Sequence, residues 1–138
     1  NAQTRYSVGW ELGWTVSRGI CRLHAADVTL SVSYRYPALA GPSDDTMKRK
    51  WATFIKGVQK HEQMHGRIAR RMADEAYRSA LKVRTARDPN CASAKREVTR
   101  KVQAVYAKYE LEQQRFDAIE HQPGGTVDRL VSSLIRKR

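Results

Sequence analysis

Long apolar runs are missing from this chain of 138 residues. No stretch of about eighteen apolar residues occurs, which predicts that nothing in the chain spans a membrane. The first residues, Asn1 to Arg5, also lack the charged-then-apolar pattern of a signal peptide. We therefore expect either a cytosolic chain or one from which a signal peptide has been removed. Repeats, low-complexity stretches and linkers are absent too, and the length predicts a single domain over residues 1–138.

Cysteine is scarce, with only Cys21 and Cys91. The two lie far apart and form no C-x-x-C pair, which argues against a redox motif or a structural zinc site built from cysteines. Their spacing alone leaves two interpretations open. One is a disulfide that closes a loop of about seventy residues and constrains the unfolded chain by about 4 kcal/mol. The other is a pair of buried free thiols.

Acidic residues are outnumbered, since 14 Asp and Glu stand against 26 Lys and Arg, for a net charge of +12. Residues 1–45 are balanced in charge, so the basic excess lies in the part of the chain predicted to be helical. Such a surface favours anionic partners. Its basic residues are interleaved with glutamates, without a recognisable nucleic-acid-binding module. We expect a solvated basic face that associates loosely with anionic envelope surfaces and binds no specific nucleic acid.

The N-terminal part of the chain is predicted to form β-strands. Residues 27–36 alternate strictly between apolar and polar side chains, which predicts a half-buried antiparallel strand. Residues 9–16 and 20–23 are its predicted partners, with bends near Gly13 and Gly19.

A long helical pattern follows, from about residue 44 to residue 82. Apolar residues recur there every three or four positions, and His61 and His65 lie near the apolar stripe. One straight helix of this length would extend for about 58 Å, which exceeds the size of a compact domain. We therefore expect the helix either to protrude or to break at Gly57 or Gly66.

Residues 61–65 read His-Glu-Gln-Met-His, an H-E-x-x-H pattern inside this helix. Residues four apart share one face of a helix, so both imidazoles can reach one metal ion. Zinc accepts neutral imidazole nitrogens and keeps one position for water in a catalytic site. Glu62 stands where a carboxylate can take a proton from that water, which indicates metal-assisted hydrolysis, most often of a peptide bond. The alternative is a solvated helix face, because the pattern supplies no third ligand.

A turn at residues 88–90 separates the first helix from a second, predicted over residues 93–119, and Thr126 can cap a short final helix. The predicted fold class is α+β, with a small antiparallel sheet at the N-terminus, a long two-helix hairpin carrying H-E-x-x-H, and a short C-terminal helix. Antiparallel helices that meet near residue 88 bring residues 110–121 close to the histidines. That stretch is rich in metal-ligand types: Glu110, Glu112, Asp117, Glu120 and His121.

Five segments spread over nearly the whole chain form a specific combination: Gly19-Ile20-Cys21-Arg22, residues 26–32, residues 51–69, Asn90-Cys91-Ala92 and residues 112–117. Together they resemble a bacterial family described as predicted secreted zinc-dependent proteases, whose domain has long been catalogued as of unknown function. The resemblance implies export and a disulfide between Cys21 and Cys91. It also implies zinc held by His61 and His65, with Glu62 as the general base.

The third ligand does not carry over directly from the family. Many members have an aromatic-Asp-x-x-Thr-x-His-Gly stretch after the second helix, whereas this chain has Phe-Asp-Ala-Ile-Glu-His-Gln-Pro at residues 116–123. The threonine position holds Glu120, and the only nearby histidine, His121, comes one place early. Asp117 matches the pattern as it stands and is the favoured zinc ligand. Glu120, one turn further along the same face, is the second choice and His121 the third.

These observations predict a secreted or periplasmic zinc metallopeptidase acting on peptide or protein substrates. Glu62 would take the proton of the attacking water and pass it to the leaving amine. An edge strand such as residues 28–36 could align an extended peptide. Tyr106, Tyr109 and His121 are candidates for stabilising the oxyanion.

Two other functions fit the sequence. One is a non-catalytic exported domain, stabilised by zinc, that binds anionic envelope surfaces or partners. A purely structural zinc site would need four protein ligands and no base at Glu62. The other is a basic helical nucleic-acid-binding protein, whose affinity would fall steeply with salt and need no metal.

Overall fold

One long β-hairpin forms most of the sheet. The computed structural model describes residues 2–135 of the chain. Strands β1 (Gln3–Ser17) and β2 (Ile20–Arg35) pair antiparallel along their whole length. Arg18 and Gly19 join them, and both have positive φ, 54° and 76°, as a two-residue hairpin turn of type I′ requires. The bend expected near Gly19 is this turn.

Strand β2 corrects the predicted strand boundaries, because residues 20–23 and 27–36 were expected to be separate, paired strands. The structure joins them into one strand that ends at Arg35. Between Gly13 and Trp14 of β1 the register shifts, so that an extra residue, His24, bulges from β2. A bulge moves the inward-facing side chains from odd to even positions. Because the apolar residues lie at odd positions before the bulge and at even positions after it, the sequence pattern looks like two strands instead of one.

A third strand was not predicted. β3 (Arg84–Thr85), which follows the first helix, has only two residues and pairs antiparallel with β2 at Cys21 and Arg22. Two residues carry no readable alternation, so the sequence holds no signal for this strand. The strand order is β1-β2-β3, and β1 is therefore an edge strand.

Helix α1 (Asp45–Leu81) runs for 37 residues without interruption. The break expected at Gly57 or Gly66 does not occur, and both glycines instead allow close packing against the helix. A Cβ at Gly57 would lie 2.6 Å from the Leu130 side chain, and a Cβ at Gly66 would collide with the Tyr34 hydroxyl. Other elements therefore pack against α1 at both glycines.

The predicted helical hairpin and short final helix are confirmed. Helix α2 (Ala92–His121) packs antiparallel to α1, and helix α3 (Thr126–Ile135) packs against both after the turn at residues 122–125. The α+β class is therefore confirmed. Within residues 2–135, no helix combines the length and apolar character needed to cross a membrane.

Aspartates cap the two long helices. The Asp44 carboxylate accepts a hydrogen bond from the Met47 amide at 2.8 Å, which satisfies one free donor of the first turn of α1. Asp88 accepts from the amides of Ser93 and Ala94, at 3.1 and 2.9 Å, and fixes the start of α2. These hydrogen bonds stabilise the first turns of the two helices that carry the candidate site.

A disulfide joins the sheet to the helical hairpin. Cys21 and Cys91 are bonded, with Cα atoms 5.5 Å apart, across 70 residues of sequence. Both side chains are buried in the main hydrophobic core, beside Leu23, Val83 and Ala94. The bond therefore connects β2 with the start of α2 inside the core, and the alternative of two free thiols is excluded.

We predict that removal of this disulfide lowers the free energy of unfolding by about 4 kcal/mol, because a loop of this length costs the unfolded chain that much entropy. The measurement is denaturant unfolding of the parent and of the double variant Cys21→Ser/Cys91→Ser. Thiol labelling of the denatured, unreduced parent should find no reactive thiol, and the reduced sample, as a control, should give two. Equal stability of parent and double variant would contradict the prediction.

Candidate metal centre

Helices α1 and α2 bring three metal-ligand side chains together. His61 Nε2 and His65 Nε2 both approach Asp117 Oδ1, at 2.9 and 2.7 Å. One ligand atom from each residue lies within 4.8 Å of the others, close enough for all three to hold a single metal ion. Because the helices are antiparallel, residue 117 of α2 passes beside residue 61 of α1, close to the pairing expected from the sequence.

The histidines of the cluster are shielded from solvent, whereas the Asp117 carboxylate is accessible to it. The side chains of His61 and His65 are 3% and 11% exposed, whereas that of Asp117 is 50% exposed. Burial raises the pKa of Asp117, but the hydrogen bonds and charges of His65 and His61 outweigh it and hold that pKa below its usual value. The carboxylate is therefore kept ionised, which is the form that binds a metal.

Gln113 fixes the protonation of His65. Its Nε2 donates to the His65 carbonyl oxygen at 3.0 Å, so its Oε1 is the atom that faces His65 Nδ1, at 2.5 Å. An amide oxygen can only accept, which places the ring proton on Nδ1. Nε2 is then the nitrogen that a metal would take, in place of the hydrogen bond that it makes to Asp117 Oδ1. The ring orientation is set by a hydrogen bond from outside the ligand set.

His61 is held by an aromatic ring and approached by a carboxylate. The Phe116 ring stacks on the imidazole, with centroids 4.7 Å apart and planes 19° from parallel. His61 Nδ1 is buried and makes no hydrogen bond to the described residues. Glu120 Oε1 is 3.5 Å from that nitrogen. Glu120, predicted as an alternative ligand, thus lies behind the His61 ring, where it can orient the ring.

Glu62 lies beside the cluster but outside it. Its Oε2 is 3.8 Å from His61 Nε2, and its side chain is 9% exposed. The Thr4 hydroxyl of β1 is 2.7 Å from Glu62 Oε1 and 3.1 Å from the Glu62 carbonyl oxygen. With one proton to donate, it bonds best to the nearer, charged acceptor. The edge strand therefore holds this carboxylate in place.

A cavity of about 690 Å³ opens beside the cluster. His61, Glu62, His65 and Asp117 all line it, together with side chains from β1, α1, α2 and α3. Its size is in the range of sites that bind small molecules or peptide segments. An ion held by the three ligands would therefore be next to a space that a substrate could enter.

Of the three residues predicted to stabilise the oxyanion, only His121 lines the cavity. Tyr106 accepts a hydrogen bond from Trp10 at 2.8 Å and Tyr109 donates to Glu75 at 2.9 Å, and neither is among the described residues that line the cavity. The structure therefore gives no support to either tyrosine as a residue of this cavity. His121 does line the cavity, and its Nδ1 donates to the Asp117 carbonyl oxygen at 2.9 Å, which leaves Nε2 for a ligand.

The strand beside the site also differs from the expected one. Of the described residues, none in 28–36 lines the cavity, whereas Gln3, Thr4 and Tyr6 of β1 do. β3 pairs with β2 only at Cys21 and Arg22, so residues 28–36 have a strand partner on one side only among the described residues. The strand segment that borders the cluster is nevertheless the start of β1 and not residues 28–36.

Three residues of the site were not predicted from the sequence: Thr4, Gln113 and Phe116. Gln113 precedes Asp117 by four residues and Phe116 by three, so it shares a face of α2 with each, and helical spacing back from Asp117 was a signal for Gln113. Phe116 is the direct neighbour of Asp117 in sequence. Thr4 is 58 residues from its partner Glu62, and nothing in the local sequence links the two.

The comparisons with known proteins identify a family for this chain but no activity. A family model described as "Bacterial protein of unknown function (DUF922)" matches residues 1–125. Searches of curated proteins and of solved structures found no significant match.

Proposed function

We propose a function for this chain, which belongs to the DUF922 family of bacterial proteins of unknown function: it is an exported zinc-dependent metallopeptidase. The observation that carries the proposal is the position of Glu62. This carboxylate is buried beside a cluster of three metal ligands, is anchored by Thr4, and faces a cavity without belonging to the ligand set.

The donor set fits zinc. Two neutral imidazole nitrogens and one carboxylate oxygen are the ligands of many hydrolytic zinc sites, in which a fourth position stays open. Asp117 is favoured over Glu120 as the third ligand because its Oδ1 meets both Nε2 atoms, whereas Glu120 approaches the opposite nitrogen of His61. When bound, zinc supplies acidity to a water molecule and polarises the substrate carbonyl.

Glu62 carries the proton transfers in this proposal. Its free oxygen, Oε2, is the one nearer His61 Nε2, while Oε1 is held by Thr4. The carboxylate takes the proton of the attacking water as the water's oxygen bonds to the peptide carbon. It then gives that proton to the amide nitrogen as the carbon–nitrogen bond breaks.

Export is supported by the disulfide. Disulfides form and persist in oxidising compartments such as the periplasm or the outside of the cell, and they are rare in the cytosol. The Cys21–Cys91 bond is buried in the core. The bond supports our proposal of a periplasmic or extracellular location.

One feature supports a second candidate, an exported non-catalytic domain that zinc stabilises and that binds anionic envelope surfaces. The cluster links α1 to α2, so a metal there would stabilise the helical pair whether or not it is catalytic. The net charge of +12 would favour the anionic surface. A non-catalytic site would not explain why a buried carboxylate lies beside the metal ligands and faces the cavity. The peptidase is therefore the preferred function.

The direct test uses the zinc-loaded protein and an unfolded substrate such as casein. The peptidase should cleave it, a chelator should stop cleavage, and added zinc should restore it. If the zinc-loaded parent cleaves nothing across a broad panel of peptides and proteins, the peptidase proposal fails and the binding domain takes its place.

We predict that Thr4→Val lowers kcat for peptide hydrolysis roughly ten- to hundredfold with little change in KM. A hydrogen bond to a charged group contributes about 1.5–3 kcal/mol, and without it the Glu62 carboxylate is free to leave its position. Thr4→Ser should keep most of the activity, because it retains the hydroxyl. Steady-state kinetics and zinc content of each variant are the measurements.

Thr15→Val is the matched control for the Thr4 prediction. Thr15 lies on the same strand and also uses its hydroxyl in a side-chain hydrogen bond, to His24 at 2.7 Å. It is not among the described residues that line the cavity. Equal kcat values for Thr4→Val and Thr15→Val would show that Thr4 does not position the base.

A further inference from the structure

The cavity beside the metal cluster has an apolar half that the cluster does not use. Six side chains from α1 and α3 form it: Trp51, Phe54, Val58, Val127, Val131 and Leu134. Val58 is 7% exposed, while Val131, across the cavity on α3, is 43% exposed. The apolar half is therefore a groove with a wall on α1 that is buried at Val58 and a wall on α3 that is accessible at Val131.

The apolar wall on α1 continues the face that carries the histidines. Trp51, Phe54 and Val58 follow each other at spacings of three and four, and Val58 precedes His61 by three. The seven helical steps from Trp51 to Val58 extend for about 10 Å along the helix. An extended peptide advances about 3.3 Å per residue, so the wall is about three peptide residues long and begins one helical turn from the metal ligands.

The charges in the cavity select against an anionic occupant. Its ionisable lining consists of the carboxylates of Glu62, Glu110 and Asp117, the imidazoles of His61, His65 and His121, and the phenol of Tyr6. No lysine or arginine of the described residues lines it, although the whole chain has a net charge of +12. The three carboxylates outnumber the two positive charges of the dication that the cluster would hold, so a carboxylate or phosphate entering this space would meet an excess of negative charge. A neutral apolar side chain would instead be removed from water.

We infer, on the basis of the proposed peptidase function, that this groove is the specificity subsite for the substrate. It receives a large aliphatic or aromatic side chain, such as leucine or phenylalanine, within three residues of the scissile bond and on one side of it only. The substrate class is therefore an extended, unfolded peptide segment with an apolar residue near the cleaved bond. Acidic segments are disfavoured.

The test begins with the cleavage sites of the zinc-loaded parent in casein, identified by mass spectrometry. Quenched fluorescent peptides built on one such site should then differ only at the apolar position, as phenylalanine, leucine, alanine or aspartate. The phenylalanine or leucine peptide should exceed the alanine peptide roughly 10- to 200-fold in kcat/KM, the range typical of hydrophobic pockets. The aspartate peptide should be the poorest of the four.

A pair of variants on α3 locates the preference in the groove. Val131→Asp places a charge on the accessible wall and should reduce kcat/KM for the phenylalanine peptide at least about tenfold. Ile135→Asp is the matched control, because Ile135 lies one turn further along α3, is 71% exposed and is not among the described lining residues. It should behave like the parent. Both variants should keep the parental thermal unfolding midpoint and zinc content.

Binding gives a readout that does not depend on catalysis. The variant Glu62→Gln, loaded with zinc, should bind a fluorescently labelled phenylalanine peptide more tightly than the alanine peptide, and Val131→Asp in that background should remove the difference. A parent that cleaves both peptides equally well would overturn the subsite and leave the peptidase standing. A protein that shows the binding preference but cleaves neither would support the subsite and refute the peptidase. Equal binding of both peptides would also overturn the subsite.

Discussion

Glu62→Gln is expected to lower the rate of peptide hydrolysis by about 10²–10⁴-fold while zinc content and fold stay close to those of the parent. Glutamine keeps the size of the side chain and can still accept the hydrogen bond from Thr4, but it cannot take a proton. Glu62 is not one of the three clustered ligands, so its replacement leaves the metal-holding atoms in place. The loss should therefore fall on kcat and not on metal affinity.

The measurement pairs metal content with casein hydrolysis on the same samples. Glu112→Gln is a suitable control, because Glu112 is on α2 near the site but pairs with Arg71 at 2.9 Å on the surface. It should retain parental activity. If Glu62→Gln cleaves casein as fast as the parent, Glu62 is not the base and the non-catalytic domain becomes the better account.

The second large effect concerns the metal ligands. His61→Ala and His65→Ala should each abolish stable zinc binding and bring hydrolysis to background, because two ligands are too few for a retained catalytic ion. Asp117→Ala should also lose the metal. Glu120→Ala should weaken zinc binding by about 10–100-fold, as expected for a residue that orients a ligand without touching the metal. His121→Ala should bind zinc like the parent.

Two measurements test these predicted differences in zinc binding among the variants. One is the zinc affinity, measured by competition with a chelator, and the other is the thermal unfolding midpoint. Zinc at a hundred times its dissociation constant should stabilise the parent by about 2.7 kcal/mol and leave His61→Ala unchanged. Parental zinc affinity in Asp117→Ala, Glu120→Ala and His121→Ala alike would show that the third ligand lies elsewhere. Glu110, which lines the cavity, would then be the next candidate, whereas Glu112 is paired with Arg71 on the surface.

The helical part of the molecule follows from periodicity and turn chemistry. The spacing of His61 and His65 put them on one face, and the turn after residue 88 put Asp117 opposite them. Both predictions rest on the regular rise of a helix, which carries local sequence information over long distances. The α+β class follows in the same way, from alternation in the first part of the chain and a three-to-four spacing in the rest.

The sheet and the surroundings of the site were less predictable. One bulged residue, His24, changes which side chains face inward, and alternation cannot reveal an inserted residue in advance. Thr4 meets Glu62 only because the β-hairpin packs on α1. This hydrogen bond therefore depends on tertiary structure, which no local sequence pattern reveals. Apolar residues of α3 look like ordinary core in the sequence, and only the packing of α3 on α1 shows that Val131 lines a cavity.

The unbroken course of α1 has a mechanical consequence. Each residue of a helix turns the next by about 100°, so Val58, His61 and His65 are related by fixed angles about one axis. One residue inserted between Val58 and His61 would rotate the apolar wall by more than a quarter-turn away from the metal ligands, although every side chain would remain present. The same insertion in the turn at residues 122–125 would transmit no rotation to α1. A change of length within α1 is therefore expected to separate the apolar wall from the clustered histidines, whereas a change in the turn at residues 122–125 leaves their relation on α1 intact.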